Sequence, residues 1–329
     1  MSLLRRLRSA AAQARELPRV WRFIPVLVRA LLHPTPLASP AFHTSEPSIA
    51  RAPGTRDEHV DGGVVAFSII RNGITNGYPF VEAYGSWLDT CSRIVILDGE
   101  SDDGTREALD ALAEIDSRVG IESAPWPAST AGGSAIAEFT NRALDLARPH
   151  GETLVYLQAD EIYPQPQRRL AAKPRNRALE FAGCVNFWNS FDTVVANEFP
   201  MRYVRAFPAS ASIVSIADGF SFDLGGLELE RTPEEILHYG WCFPVNILQK
   251  HVSHARLYRD NAVYRSRGFL ARAMLRAGST DRRLLAALAP GYRPAPFTGS
   301  HPPAVRHLLG MAAYDPRPGL DLLAAGAAW

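Results

Sequence analysis

Acidic side chains directly follow two apolar segments of the chain. If these segments are strands, the acidic groups lie where a ligand can bind at the strand ends. The polar turn 98–105 comes directly after the apolar run 93–97, and the group 158–161 comes after the run 153–157. Two carboxylates at the low-dielectric end of a buried strand are unfavourable unless a cation, a donor or water compensates them. Either group alone is typical of a solvated loop with a helix N-cap, but together they favour a divalent metal with a phosphorylated ligand.

The sequence around these groups predicts alternating strands and helices. The run 64–70 is continuous, apolar and rich in β-branched residues, which is typical of a buried parallel strand. A helical pattern at 79–88 separates it from 93–97, so a β-α-β unit is expected. The segments that follow predict helices at 106–112 and 135–148 and a third buried strand at 153–157. Ligands of open α/β sheets bind at the carboxyl ends of strands, which is where both acidic groups fall.

Several short motifs occur in a distinctive order along the chain. In the first half they are Arg71-Asn72, Pro79-Phe80 with Glu82, 94–99, 101–105, Asn141 and 157–161. Their types and order resemble family 2 glycosyltransferases of the GT-A fold. The second half adds a His-Tyr-Gly-Trp element at 238–241, then Lys250 and a Gly-x-His-Pro element at 299–302. These elements are similar to a bacterial subset of that family, so the resemblance covers most of the chain from 64 to 303.

The resemblance implies a binding site for a nucleotide-sugar donor. In that family, the aspartate that matches Asp98 contacts the nucleotide base or ribose. The other positions expected to contact the donor are Arg71, Asn72, Ser101, Asp103 and Asn141.

The resemblance also implies Mg²⁺ or Mn²⁺ on the donor diphosphate, held by an Asp-x-Asp element. Asp160 matches the second aspartate, whereas Gln158 stands in place of the first. Glu161 can partly compensate, because hard cations take carboxylate oxygens. His238 is placed in sequence for a third ligand, although a structural histidine fits that position equally well. The candidate metal ligands are therefore Asp160, Glu161 and His238.

Charged side chains in the second half are candidates for the remaining roles. Arg202, Arg205 and Lys250 have the charge to neutralise phosphate, although a solvated surface explains them equally well. Inverting transfer also needs a carboxylate that takes the proton of the acceptor hydroxyl. Asp218 is the first candidate for this base and Asp192 the second, and the other available carboxylates are Glu228 and Glu230.

Composition and charge limit the classes of protein that fit. The 329 residues carry 35 basic and 34 acidic side chains, and this near-neutral balance disfavours a whole-protein nucleic-acid binder. The sequence contains no apolar run of about 18 residues, so no transmembrane span is expected. Three widely spaced cysteines indicate reduced thiols in a cytoplasmic protein.

The sequence predicts four regions. Residues 1–34 hold seven arginines against one glutamate, and the arginines lie opposite apolar side chains, as in a basic amphipathic helical arm. Such an arm suits docking on the protein's own surface or partial disorder, contact of 1–32 with an anionic membrane, or an organelle transit peptide. A proline-rich linker at 35–62, a core at 63–245 and a helical and coil extension at 246–329 are expected to follow.

Together these features predict an α/β protein with a GT-A-like mixed sheet, helices on both faces and a Rossmann-like nucleotide-binding half. The predicted function is transfer of a sugar, with inversion, from a nucleotide donor to a glycan or lipid-linked acceptor of the cell envelope. The predicted location is cytoplasmic, peripheral at the inner face of the cell membrane. One rival is a catalytically degenerate carbohydrate-binding or scaffold protein, suggested by Gln158. Another is a sugar nucleotidyltransferase, for which 71–77 is a poor phosphate-binding loop.

Overall fold

The computed structural model describes residues 24–25, 28, 63–127, 130–163, 176–196, 203–216, 221–327 and 329. The predicted arm and linker lie almost wholly outside these residues, and so do Arg202 and Asp218, so what was expected of them stays a prediction. Within the described ranges, every helix is too short or too polar to cross a membrane.

One mixed sheet of eight strands forms the centre of the described chain. Its first four strands in space are parallel, in the order β3 (Val119–Ser123), β2 (Arg93–Asp98), β1 (Val64–Ile70) and β4 (Thr153–Tyr156). The order continues with β8 (Tyr203–Pro208), β6 (Arg177–Asn186), β11 (Glu228–His238) and β5 (Glu161–Ile162). Strand β8 is antiparallel to both of its neighbours, and β11 is parallel to β6. The carboxyl ends of β1, β2, β4 and β11 therefore lie at the same edge of the sheet.

Two small sheets and eight helices complete the described elements. The small sheets pair β7 (Thr193–Val195) with β12 (Pro294–Pro296) and β9 (Val214–Ile216) with β10 (Ser221–Asp223). The helices are α1 (Gly73–Asn76), α2 (Phe80–Gly85), α3 (Thr105–Ile115), α4 (Gly133–Ala147), α5 (Pro244–Leu257), α6 (Ala262–Arg276), α7 (Arg282–Leu288) and α8 (Arg317–Ala324). Short 3₁₀ turns lie at Arg148–His150 and Pro303–Leu308.

Helices cover both faces of the sheet because side chains of a strand alternate between its faces. On one face, Ala66 and Ile94 share an apolar core with α2, α3 and the carboxyl-terminal residues Tyr314 and Leu320. On the other face, Phe67 and its neighbours pack against α4. The α/β class and the mixed sheet flanked by helices are thus confirmed.

The predicted elements of the first half agree closely with the structure. Strand β1 has the predicted bounds, β2 is one residue longer than predicted, and β4 ends one residue earlier. The helical pattern at 79–88 gives only α2, which ends at Gly85 before a run of turns. The helix predicted at 106–112 corresponds to α3, which is longer and spans Thr105–Ile115. At its start, Asp103 accepts hydrogen bonds from the backbone nitrogen and the hydroxyl of Thr105.

Asn246 fixes α5 against the loop that follows β1. Its amide nitrogen donates to the carbonyl oxygens of Ile74 (2.7 Å) and Thr75 (3.1 Å), at the carboxyl end of α1. Its amide oxygen accepts from the backbone nitrogen of Tyr314 at 2.8 Å. Because the side chain is almost completely buried, water does not replace these bonds. Asn246 therefore ties α5 both to the loop after β1 and to the backbone at Tyr314.

We expect Asn246→Ala to lower the free energy of unfolding by about 1–3 kcal/mol, because buried backbone groups lose their partners. Chemical denaturation of the full chain measures the change. The control is Ser266→Ala, on the exposed face of α6, where the hydroxyl bonds only to its own helix. That control should change stability by less than about 0.5 kcal/mol. An equally small change for Asn246→Ala would contradict the assignment.

Candidate functional site

The candidate site lies where four strands that run in the same direction end. Asn72 follows β1, Asp98 ends β2, Asp160 follows β4 and His238 ends β11. These ends form the edge of the sheet at which open α/β proteins bind ligands. The structure thus brings the two acidic groups of the sequence to the same edge.

Asp160 lies between two cationic or potentially cationic side chains. Its Oδ2 is 3.2 Å from Nε2 of His238 and 3.3 Å from Nζ of Lys250. All three residues are buried, with 6%, 6% and 3% of their surfaces exposed. Burial by itself would raise the pKa of Asp160, but His238 and Lys250 outweigh burial and hold this pKa well below its usual range. Asp160 is therefore a charged, buried carboxylate at neutral pH.

The ammonium of Lys250 is buried among polar and aromatic groups. Nζ lies 4.4 Å from the ring centroids of Tyr78 and Trp241, and it donates to the carbonyl oxygen of Gly240 at 2.9 Å. Burial lowers the pKa of Lys250, while the Asp160 carboxylate opposes that shift. A Cβ at Gly240 would overlap Oδ2 of Asp160 and approach Nζ of Lys250 to 2.7 Å, so any larger residue would have to displace this ion pair.

Glu161 points away from Asp160 and pairs with Arg205 of β8. The guanidinium donates to both carboxylate oxygens, Nε to Oε2 at 2.9 Å and Nη2 to Oε1 at 2.7 Å. The Tyr163 hydroxyl donates to Oε2 at 3.1 Å, and both charged side chains are completely buried. This bidentate pair leaves Arg205 no exposed surface for contact with a donor phosphate, and it leaves Glu161 without a free carboxylate oxygen.

The expected metal set is therefore not assembled. Asp160 and His238 meet, but Glu161 belongs to a different cluster, and Lys250 lies on the same carboxylate oxygen as His238. Across the described part of the chain, no group of three or more His, Cys, Asp or Glu residues is arranged to hold a metal. The residues present do not fit Mg²⁺ or Mn²⁺ while the ammonium of Lys250 stays in place.

The loops after β1 and β2 bind each other through side chains expected to contact the donor. Asp98 accepts from the backbone nitrogen (3.2 Å) and the hydroxyl (2.5 Å) of Ser101, whose Oγ accepts in turn from the backbone nitrogen of Asn72 at 2.8 Å. The Asn72 side chain exchanges two hydrogen bonds with Asp102. Asn72 has φ 52°, a left-handed conformation that asparagine tolerates better than most residues. These bonds make the two loops one preorganised unit.

Asp103 holds the amino end of α1. Its Oδ2 accepts from the backbone nitrogen of Thr75 at 2.6 Å, and its Oδ1 accepts from the Thr105 hydroxyl at 2.5 Å. That hydroxyl oxygen also accepts from the backbone nitrogen of Ile74 at 3.1 Å. Two backbone donors that a phosphate-binding loop would present after β1, those of Ile74 and Thr75, are thus already bonded within the chain.

Arg71 is an exposed cation at this edge. Its guanidinium carbon lies 5.9 Å from the ring centroid of Trp126, and Gly99 lies close to both side chains. A Cβ at Gly99 would come within 2.8 Å of the Trp126 ring, so the glycine allows the stacked pair to form. Arg71 remains exposed at the strand ends, with the charge and donor geometry for a phosphate group.

Three other expected site residues lie elsewhere. The Asn141 amide exchanges two hydrogen bonds with the backbone of Ser215, at 2.7 and 3.0 Å, and so fixes α4 to β9. Glu228 and Glu230 lie at the start of β11, whereas the candidate site lies at its carboxyl end. Their position makes them unsuitable as the general base of this site.

A chain of aromatic contacts connects the segment that holds Asp192 to the candidate site. Phe191, the neighbour of Asp192, packs against Tyr239 and His301. The Tyr239 hydroxyl is 3.0 Å from Nδ1 of His301, and its backbone nitrogen donates to the carbonyl oxygen of Asp160 at 2.8 Å. The His-Tyr-Gly-Trp and Gly-x-His-Pro elements therefore meet, and Asp192 is exposed beside them.

Sequence reasoning missed the enclosure of Lys250 by Tyr78 and Trp241. Tyr78 carries no sequence signal for this role. For Lys250 a signal exists, because the chain contains only two lysines, Lys173 and Lys250, among 35 basic side chains. Lys250 is therefore a rare residue type in this chain, which could have drawn attention to it.

Comparisons with known proteins give similarity to solved structures only. No family model and no curated protein matches the chain. TarS of S. aureus is 11% identical with a TM-score of 0.35, over 59% of this chain and 39% of that one. GalNAc-T7 with UDP, GalNAc and Mn²⁺ is 12% identical with a TM-score of 0.36, over 69% and 54%. The mannosyltransferase PcManGT from Pyrobaculum calidifontis, with GDP-Man and Mn²⁺, is 18% identical with a TM-score of 0.34, over 98% and 96%. This chain thus spans about two fifths and one half of the first two.

We expect Arg205→Met to lower the free energy of unfolding by about 3–5 kcal/mol, because it leaves the Glu161 carboxylate buried without a partner. Adding Glu161→Gln should recover much of this loss, since the charge is then removed as well. Denaturation of the two single variants and the double variant gives the coupling free energy.

The control for this cycle is Arg106→Met, which breaks an exposed Arg106–Asp110 pair of the same bond length, 2.9 Å. We expect it to cost less than about 1 kcal/mol, as exposed pairs do. Additive effects of Arg205→Met and Glu161→Gln would show that the two side chains do not depend on each other.

Proposed function

We propose that this protein is a glycosyltransferase that binds a nucleotide-sugar donor at the carboxyl ends of β1, β2 and β4. The observation that carries the proposal is the convergence of Asp98 and Asp160, which lie in separate motifs typical of such enzymes, at one ligand-binding edge. Loops held by mutual hydrogen bonds suit this role, because a preorganised site loses less entropy on binding.

The donor would contact this edge through groups that differ in charge. Asp98 and Ser101 form the polar part of the loop after β2, which suits the hydroxyl groups of a ribose. The exposed guanidinium of Arg71 suits the diphosphate, because arginine binds phosphate oxygens in a bidentate manner. Asp160, held by His238 and Lys250, lies at the next strand end and completes the edge.

The transfer itself needs a base on the acceptor side. The acceptor hydroxyl oxygen attacks the anomeric carbon from the face opposite the diphosphate, the bond between that carbon and the diphosphate oxygen breaks, and a carboxylate takes the hydroxyl proton. Asp218 stays the first candidate from the sequence. Asp192 is the second, and its exposed position beside the Tyr239–His301 pair supports it.

The acceptor is proposed to be a glycan or lipid-linked molecule of the cell envelope, reached at the inner face of the cell membrane. The basic arm at 1–32 supports this proposal through its charge and amphipathic pattern. The nucleotidyltransferase rival receives no support, because the backbone donors of Ile74 and Thr75 are occupied by Thr105 and Asp103. The degenerate-scaffold rival is favoured by one observation, the Lys250 ammonium on Asp160.

Nucleotide binding is the first test. We expect one nucleoside diphosphate, or its sugar derivative, to raise the melting temperature of the full chain by binding only the folded state. At a hundred times the Kd this adds about 2.7 kcal/mol of stability. Asp98→Asn should reduce the affinity by at least about tenfold, since it weakens the bonds that order the loop after β2.

The matched control for that variant is Asp110→Asn, which changes an exposed carboxylate of α3. It should leave nucleotide affinity unchanged. If no nucleotide stabilises the wild-type protein, the donor site is wrong and the scaffold interpretation takes its place.

Substitution of the proposed base separates binding from transfer. We expect Asp218→Asn to bind the donor as the wild type does and to lose about 10²–10⁴-fold in the rate of sugar transfer, the usual contribution of a general base. Asp192→Asn is measured beside it. Product formation by mass spectrometry gives the rates, and near wild-type turnover by both variants would refute both assignments.

A further inference from the structure

The site proposed above contains a positive charge where the resemblance leads one to expect a metal ion. We infer that the Lys250 ammonium takes the place of the divalent cation at Asp160, so that this site binds its ligand without a metal. This inference rests on the proposed function for the identity of the ligand, but its main test needs only the metal and the protein.

Charge balance is the first argument. Asp160 contributes one negative charge and Lys250 one positive charge, His238 adds no negative charge, and Gln158 is neutral where the family resemblance expects a second aspartate. A divalent cation added to this group would bring two positive charges that no carboxylate of the cluster compensates. It would also approach an ammonium that lies 3.3 Å from the same oxygen, where repulsion is strong because water is excluded.

Geometry is the second argument. Lys250 is held by the Asp160 carboxylate, the Gly240 carbonyl oxygen and the faces of Tyr78 and Trp241. An ammonium that swings away to admit a metal loses all four contacts at once. The glycine at 240 also belongs to this arrangement, because a side chain there would displace Oδ2 of Asp160 and Nζ of Lys250. The ion pair in this position thus depends on the absence of a side chain at 240.

Side-chain type is the third argument. An ammonium is a compact point charge, whereas a guanidinium is planar and wider. A site enclosed by two aromatic rings and a carbonyl oxygen admits the former more readily. The chain uses arginine almost everywhere else, so the lysine here agrees with a position shaped for a small cation.

Removal of the ammonium should therefore create a metal site. In Lys250→Met the Asp160 carboxylate and the His238 imidazole remain at the same strand ends, and the negative charge has lost its partner. Carboxylate oxygen is a preferred ligand of Mn²⁺, and imidazole nitrogen binds first-row transition metals. We expect wild type to bind no Mn²⁺ at this place and Lys250→Met to gain one Mn²⁺.

The test is a titration of the purified full chain with MnCl₂, in which electron paramagnetic resonance measures free Mn²⁺. We expect Lys250→Met to bind one ion at least tenfold more tightly than wild type, and the Lys250→Met/Asp160→Asn double variant to lose it. Arg276→Met, which removes an exposed cation of α6 away from the site, should bind Mn²⁺ as wild type does. Melting temperatures show that each variant is folded, and Lys250→Gln replaces Lys250→Met if the latter is not.

Two results would overturn the inference. One is stoichiometric Mn²⁺ binding by wild type that Asp160→Asn abolishes, because the lysine then does not exclude the metal. The other is a folded Lys250→Met or Lys250→Gln variant that binds no Mn²⁺, because the ammonium is then not what occupies the cation position.

A second measurement connects the inference to ligand binding. The affinity of wild type for uridine and guanosine diphosphates is measured with EDTA and with Mn²⁺. We expect the two conditions to agree within about twofold, and a loss of affinity in EDTA would contradict metal-independent binding. If neither nucleotide binds in any condition, the proposed function fails, while the Mn²⁺ titration still decides the role of Lys250.

Discussion

Two consecutive carboxylates, Asp160 and Glu161, are buried beyond the end of β4, and each is paired with basic side chains. Asp160 takes Lys250 and His238, and Glu161 takes Arg205. A buried charge without a partner is far less stable than the same charge in water, so these pairs are conditions for folding as well as features of a site. They connect the loop after β4 to β8, to β11 and to α5.

This constraint explains why the second half of the chain is packed where it is. Strand β8 inserts next to β4 and delivers Arg205 to the core, while the end of β11 and the helix after it deliver His238 and Lys250. Asn246, four residues before Lys250, binds the carboxyl end of α1 and so aligns α5 with the loop after β1. The same contacts that stabilise the fold thereby set the charges at the ligand-binding edge, with paired charges inside and Arg71 exposed.

Much of the first half could be predicted, because buried parallel strands are continuous apolar runs and the polar turns after them mark their ends. The division between Asp160 and Glu161 was missed, because Asp160 lies in the turn after β4 and Glu161 begins β5, and no pattern in the sequence marks that boundary. Their partners could not be found, since Arg205 lies 44 residues from Glu161 and Lys250 lies 90 residues from Asp160. Asn141 was expected to contact the donor for the same reason. Its actual partner, Ser215, is 74 residues away in the sequence. A pattern of neighbouring residues gives no information about partners this far apart in the sequence.

The two cations of the edge each lie against an indole ring, Arg71 on Trp126 and Lys250 on Trp241. Indole fluorescence responds to charges near the ring, and the chain has only six tryptophans to contribute to its emission. An anion that binds at the exposed Arg71 guanidinium changes the electric field at the Trp126 ring. Trp126 is therefore placed to report occupancy of this edge by its fluorescence, in the unlabelled protein.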